Sequence, residues 1–390
     1  MKEYIKYLKG DRVIWIITLL MLAFSLVSVY SFVPILVKIE GGTPFKYLFK
    51  HFIYVLIAFF TMFWLHKKDP KYFSRIAKFG YYVAIGLLIF TFFFGTKVND
   101  AGRWIKIPFV GLTFQSSDFA KLALILTVSR LLVVKKDLLN SWKEGFLPVM
   151  IPIFVICGLI FKDNFSTAAL LFMVSLTILF IAKVPFGKLS VVFGVGIVIM
   201  SLAIAVHKLI PSINLLPRYQ TWENRITNLG EGEKNILANA QSLNAQLAIY
   251  NGGVIGQGVG DGKLKEYLPE AYADFYYSSF VEEFGFIAAL FLVFLYLILF
   301  YRILQIGIKS EKLFETYVCL GIGVLILTQA SVNMLVCTGI FPVTGQNMPL
   351  LAMGGSALIM TAVSLGIVQS IAYQQSKNNS SDEELESNEA

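Results

Sequence analysis

The sequence predicts an all-α polytopic membrane protein, with about ten transmembrane helices and one large structured extracytoplasmic loop. Three observations carry this expectation. Of the 390 residues, 56% are hydrophobic and only 15% charged, whereas soluble domains carry about 25% charged residues. Apolar runs of about 17–25 residues recur along most of the chain, long enough to cross a bilayer as helices whose backbones satisfy themselves. Lys and Arg collect in alternate connections, as the positive-inside rule requires of cytoplasmic loops.

The first run, about 13–34, is too long for a signal-peptide core and has no small-residue cleavage site, so it reads as a span. Six more follow at about 50–66, 78–96, 116–134, 145–161, 165–183 and 188–209, and the short gap Lys162–Asn164 makes the fifth and sixth a tight hairpin. The last three are 284–303, 316–338 and 349–373. Lys2, Lys6, Lys9 and Arg12 precede the first span; Lys67, Lys68, Lys71, Arg75 and Lys78 follow the second. Lys135, Lys136 and Lys143 follow the fourth, and Arg302, Lys309 and Lys312 the eighth. These segments fall on one side of a ten-span topology, which places both termini in the cytoplasm. Residues 1–373 thus form one membrane domain, and the acidic 374–390, ending SSDEELESNEA, is expected to be a disordered cytoplasmic tail. The net charge of +8 belongs to the inner loops and gives no reason to invoke nucleic acid.

Residues 210–283 form the one long connection, and long ordered loops usually carry function. It contains Pro211, Pro217, a helical segment at Lys234–Tyr250 and the glycine run GQGVGDG, Gly256–Gly262. No βαβ pattern surrounds that run, so it reads as a turn that lets backbone pack closely, or as amides approaching a lipid phosphate, rather than as a nucleotide loop. The loop ends in YLPEAYADFYYSSFVEEFGF, with Glu270, Asp274, Glu282 and Glu283 among aromatics. Pro269 suits a first helical turn, and Glu270 and Asp274 then share a face. This is either an interfacial aromatic helix with solvated acids or a carboxylate placed beside the bilayer as a general base. Glu282 and Glu283 open a span, where ionisable groups need a partner or cavity.

Cys157, Cys319 and Cys337 lie inside apolar runs without CxxC spacing, and His51, His66 and His207 make no paired-ligand pattern, so no metal site is read from them. Arg103 and Lys106 flank Trp104 in an outer loop, and Asp118 and Lys121 open the fourth span three residues apart, as an ion pair or as part of a polar path. Arg130 reads as snorkelling toward the basic loop. Arg218 and Arg225 stand in the large loop. Cations gathered around a carboxylate on the outer face are what a pyrophosphate-bearing lipid requires.

Four ordered stretches resemble the SEDS family (shape, elongation, division and sporulation proteins, including FtsW and RodA): NDAGRWIKIPFVGLTFQSSDFAKLALIL, KDNFSTAALL, AQSLNAQLAIYNGGVIGQGVG with EYLPEAYADFYYSSFVEEFGFIA, and NMLVCTGIFPVTGQNMPLLAMGGSALI. The resemblance runs over nearly the whole chain and leans toward the FtsW branch through the acidic tail and YLPEAYADF. It implies a peptidoglycan glycosyltransferase that polymerises lipid II on the outer face, working with a class B penicillin-binding protein and other divisome membrane proteins. The family's essential aspartate falls on Asp274. Its Trp falls on Trp104 beside Arg103, and its P-S-E and Lys positions on Asp118 and Lys121. Arg103, Trp104, Asp118, Lys121, Arg218 and Glu270 are then the substrate-binding candidates. The only cofactor invited is a divalent cation, Mg or Mn. Departures from the family pattern are Asn164 at an acidic position, Tyr272 for His, QSSD for QPSE, and GGSA, which leaves Ser356 alone. The competing readings are a RodA-type elongation enzyme, a lipid II flippase, and a scaffold that activates the penicillin-binding partner.

Overall fold

The computed structural model of the chain describes residues 8–98, 101–106, 112–209, 223, 236–268 and 270–389. Every predicted apolar run coincides with a helix. In chain order these are α1 (Arg12–Glu40), α2 (Pro44–Leu65), α3 (Pro70–Phe94), α4 (Ser116–Val134), α5 (Leu147–Phe161), α6 (Phe165–Ile181) and α7 (Phe186–Leu209). After α8 (Ile236–Gly252) in the long connection come α9 (Tyr276–Ile308), α10 (Leu313–Cys337) and α11 (Gly355–Glu389). By length and composition, eight of the helices among the described residues can cross a bilayer. The other two predicted spans fall outside that set for local reasons. α4 carries Asp118, Lys121 and Arg130, and α6 has 17 residues.

Helix starts follow the local chemistry. Asp11 caps α1 by accepting from the Val13 and Ile14 amides at 2.9 and 3.0 Å. Asp69 caps α3 ahead of Pro70, whose missing N–H costs nothing in a first turn. α2 packs along α11, α9 along α10, and α3 along α4. α4 is buried on nearly all sides, which suits a helix that is apolar around most of its circumference. α7 is almost wholly exposed, as expected of Val, Ile and Phe facing lipid.

At one end of the bundle Gln369 brackets the Asp11 backbone, donating to its carbonyl at 2.8 Å and accepting from its amide at 2.7 Å. Arg302 donates to the Asp11 carboxylate, and Ser370 to the Lys68 carbonyl at 2.6 Å. This end therefore carries the basic connections. Arg130 reaches toward it and donates to the Ser74 carbonyl at 2.7 Å. The opposite end carries α8, the glycine run and the segment 264–275, here called the cap.

Two elements differ from the sequence expectation. The stretch read as an outer loop holds a three-stranded antiparallel sheet, β1 (Thr96–Val98), β2 (Ala101–Lys106) and β3 (Thr113–Gln115). Short alternating segments on either side of Asn-Asp at 99–100 pair back on one another, with Trp104 opposite Gln115. The terminal segment expected to be disordered has helical backbone to Glu389, because it contains neither Gly nor Pro and continues a folded helix without a stop.

Candidate functional site

Between α10 and α11 the chain runs without helix or strand through residues 342–348, with Gly345 at φ +69°, and turns back at 349–354. Ser25, midway along α1, donates to the Leu351 carbonyl at 2.8 Å and lies 2.8 Å from His51 Nε2. Tyr296 donates to the Pro349 carbonyl at 2.5 Å, and the Met353 amide to the Tyr272 carbonyl at 2.9 Å. Leu351 is therefore held at the depth of the helix midpoints, so the segment is re-entrant. Non-helical backbone survives at such depth only where protein groups satisfy it.

This segment forms one wall of a small, open cleft of about 50 Å³. Gln115, Asp118 and Lys121 line it from the start of α4, Thr167 from α6, Gln329 from α10, and Gly345, Gln346 and Asn347 from the re-entrant segment. Lys121 Nζ lies 2.9 Å from Asp118 Oδ1, and Ser356 donates to Asp118 Oδ2 at 2.7 Å. Both members of the pair are buried. Ser356, the serine left alone by the GGSA departure, thus completes the Asp118 contacts.

Asp274 stands at the rim. A methyl placed on the cleft-lining Gly345 would sit 3.5 Å from Asp274 Oδ2, so the carboxylate lies beside the re-entrant segment, and the residue is partly exposed. Its position is set from α10. Asn333, fully buried, donates through Nδ2 to the carbonyls of Asp274 at 2.9 Å, Gln346 at 2.8 Å and Ala273 at 3.4 Å. Its Oδ1 accepts from the Tyr277 amide at 3.3 Å. Gln346 in turn donates to Thr167 Oγ1 at 2.7 Å, and the Thr167 amide to Asn164 Oδ1 at 3.1 Å. One hydrogen-bonded chain thus joins the Asp274 turn, the re-entrant segment and the start of α6.

The carboxylates near Asp274 have other tasks. The helix expected from Pro269 begins instead at Tyr276, and 270–275 is a turn in which Glu270 has φ +55°. Glu270 is therefore not a first-turn acid. Its carbonyl accepts from the Ala273 and Asp274 amides at 2.9 and 3.0 Å. Glu282 and Glu283, expected to anchor the following span, are buried clamps on the cap. α9 breaks at Gly285, φ +80°, which frees the carbonyls of Glu282 and Glu283. The glycine run fills the break: the Gln257 and Gly258 amides donate to those carbonyls at 2.9 and 3.0 Å, and Phe286 donates to Gly253 O at 3.0 Å. A Cβ at Gly256 would collide with the Glu283 carbonyl, so the run serves close backbone packing rather than phosphate binding. Glu282 Oε1 accepts from the Lys263 and Leu264 amides, and Lys265 Nζ sits 2.5 Å from Glu283 and donates to Ser31 at 2.5 Å.

Other predicted residues fall around this centre. Trp104 is partly buried in β2 beside Gln115. The backbone of Arg103 lies in β2, but its side chain, and all of Arg218 and Arg225, lie outside the described residues. Lys121 is committed to Asp118, which neutralises the charge expected to face a diphosphate. Asn164, at the family's acidic position, is buried and caps α6. Tyr272 packs edge-on against Phe32, with ring centroids 6.5 Å apart. Among the described residues no three His, Cys, Asp or Glu side chains converge.

Gln329, Asn333, Thr167, Gln346 and Lys265 escaped the sequence reading. Gln329 and Asn333 did carry a signal. They are polar amides four residues apart in an apolar span, the spacing that puts both on one helix face. Lys265 carried none, since a lysine in a loop reads as solvated.

A family model for cell cycle proteins of the FtsW, RodA and SpoVE type matches residues 11–377. A protein of Trichlorobacter lovleyi named a probable peptidoglycan glycosyltransferase FtsW is 31% identical over 369 residues, covering 93% of each chain. A Coxiella burnetii protein of the same name is 29% identical over 377 residues, 93% of this chain and 96% of that one. Among solved structures, a chain from a peptidoglycan synthase complex that coordinates polymerization and crosslinking matches with TM-score 0.71 at 20% identity, over 94% of this chain and 98% of that one. The rod shape determining protein RodA of Thermus thermophilus matches with TM-score 0.66 at 21% identity, over 94% and 97%. The two solved structures share its fold.

Proposed function

The chain belongs to the FtsW/RodA/SpoVE family of cell cycle proteins, and from that premise we propose that it is a peptidoglycan glycosyltransferase. It polymerises lipid II on the outer face of the cytoplasmic membrane and releases undecaprenyl pyrophosphate, in septal wall synthesis. The cap then faces outward, and the end bearing Asp11, Lys68 and Arg302 faces the cytoplasm with both termini. Its proposed partners are a class B penicillin-binding protein, which supplies crosslinking, and other divisome membrane proteins.

The observation that carries this reading is the Asp274 carboxylate, partly exposed beside the re-entrant Gly345 with its backbone pinned by Asn333. Asp274 is assigned as the general base. It takes the proton from the acceptor sugar's 4-hydroxyl, whose oxygen bonds to the donor's anomeric carbon as the bond to the diphosphate breaks, with inversion. Holding reacting groups in the right geometry lowers the barrier; here Asn333, which donates to the Asp274 carbonyl, supplies that support. Arg103 and Arg218 are the cations proposed for the departing diphosphate, with Trp104 on β2 opposite the cleft-lining Gln115. No nucleotide is consumed, because the polyprenyl pyrophosphate is itself the leaving group.

Asp274→Asn preserves shape and removes basicity. The purified variant with its penicillin-binding partner, given labelled lipid II and analysed by gel, is expected to make no glycan polymer. Normal polymer from this variant would remove Asp274 as the base.

A further inference from the structure

Two buried polar residues, one on α1 and one on α2, hold the backbone on which the Asp274 turn rests. Ser25 and His51 are 0% and 1% exposed. Ser25 has one hydroxyl proton, and it goes to the Leu351 carbonyl at 2.8 Å, since a carbonyl can only accept. The contact between Ser25 Oγ and His51 Nε2, also 2.8 Å, then runs the other way, with the imidazole donating. That fixes the ring as the neutral tautomer protonated at Nε2. Nδ1 agrees: it is buried and has no hydrogen-bond partner among the described residues. A bare acceptor is tolerated in such a place more readily than an orphaned N–H donor.

The Leu351 carbonyl matters because the re-entrant segment carries the Asp274 turn. Two residues on, the Met353 amide donates to the Tyr272 carbonyl at 2.9 Å, two residues short of Asp274. On the other flank of Asp274, Tyr276 Oη lies 2.6 Å from Ser28 Oγ, one turn along α1 from Ser25. Both flanks of the turn are thus referred to one row of serines, Tyr276 directly and Tyr272 through Met353 and Leu351. A hydroxyl inside a helix commonly bonds its own carbonyl one turn back, as Thr18 does to Ile14 at 2.7 Å. The Ser25 proton is turned outward instead, toward Leu351, and the His51 N–H occupies the hydroxyl oxygen from the side. We propose that His51 and Ser25 are positioning residues for the transfer reaction. His51 aims the Ser25 hydroxyl at Leu351, and the re-entrant segment held in this way sets the Asp274 carboxylate. The catalytic consequence rests on the reading of Asp274 as the general base; the tie itself does not.

The test uses the purified full-length protein with its penicillin-binding partner and two readouts. His51→Leu keeps most of the volume and removes the donor. His51→Gln returns an amide donor near the Nε2 position, and Ser25→Ala removes the hydroxyl with a smaller change of shape. In steady-state polymerisation of labelled lipid II, kcat is expected to fall about 10–100-fold in His51→Leu and in Ser25→Ala with KM unchanged, the effect of shifting a reacting group by up to about 1 Å. His51→Gln is expected to stay within about threefold of wild type, and the double variant to be no slower than Ser25→Ala alone, because the two residues act in series. Hydrogen exchange followed by mass spectrometry without substrate is expected to quicken at 270–275 and 342–354 in His51→Leu and Ser25→Ala, and not in His51→Gln. Exchange in α3 and α5 is expected to match wild type, which separates a local tie from a general loss of stability. Wild-type kcat in both His51→Leu and Ser25→Ala, a loss carried by KM, a His51→Gln protein as slow as His51→Leu, or unchanged exchange at 342–354 would each overturn the proposal. A wild-type protein that makes no polymer while exchange responds as expected defeats the glycosyltransferase reading and leaves the tie between His51 and the Asp274 turn established.

Discussion

Replacing Asn333 by Ala should cost both stability and turnover, and the size of each effect follows from the contacts. Its side chain makes two hydrogen bonds below 3 Å, to the carbonyls of Asp274 and Gln346, and two longer ones. Asn333 is 0% exposed, so water does not replace the lost donor. Each buried group left unpaired costs about 1–3 kcal/mol, which for the two short bonds comes to about 2–6 kcal/mol. The turnover effect comes from position. Asp274 loses its tie to α10, and a displacement of about 1 Å in a reacting group costs roughly 100-fold. The assay pairs the thermal inactivation midpoint in detergent with the initial rate of lipid II polymerisation. Asn333→Asp is the control, because it keeps the volume and the acceptor for Tyr277 N but points a carboxylate at three carbonyl oxygens. It should fall at least as far as Ala. An Asn333→Ala protein with an unchanged midpoint and a rate within about twofold of wild type would refute the reasoning.

Three further outcomes follow from other contacts. Lys265→Met or Glu283→Gln, each leaving one buried partner alone, should destabilise by about 3–5 kcal/mol, and the double variant should recover much of that loss in the same thermal assay. Gly256→Ala should lower the inactivation midpoint sharply, since φ is +93° there and the added methyl meets the Glu283 carbonyl; an unchanged midpoint would mean the glycine run does not seal the α9 break. Asn164→Asp restores the family's usual acid yet keeps the α6 cap, because Asp and Asn cap equally well, so its polymerisation rate should stay within about threefold of wild type. A large gain in rate would show that position 164 acts on substrate rather than as a cap.

Much of the architecture was legible because the bilayer imposes a simple rule on sequence. An apolar run long enough to span must be a helix, and all ten runs are. Helix starts were placed less well: the third span was read from about 78, whereas its helix begins at Pro70 behind the Asp69 cap. Asp274 stood out through its resemblance to a family motif, and Asp118 and Lys121 through charge in an apolar span. The sheet at 96–115 was less visible, since its strands are three to six residues long and sit beside a much stronger helical signal.

Sequence by itself determined the apolar helices and the connections in which Lys and Arg collect, and it marked Asp274 only through resemblance to a family motif. Only tertiary structure decided where the four neighbouring acids sit, with Asp274 beside Gly345 and Glu282 and Glu283 buried against the cap. Glu282 and Glu283 are adjacent to a break whose carbonyls are satisfied by the Gln257 and Gly258 amides, 25 residues away in the chain, and the Glu283 carboxylate pairs with Lys265, 18 away. Asn333 reaches Asp274 across 59 positions, and Ser356 reaches Asp118 across 238. A hydrogen bond between groups so far apart is set by how helices pack. No local periodicity or propensity encodes it.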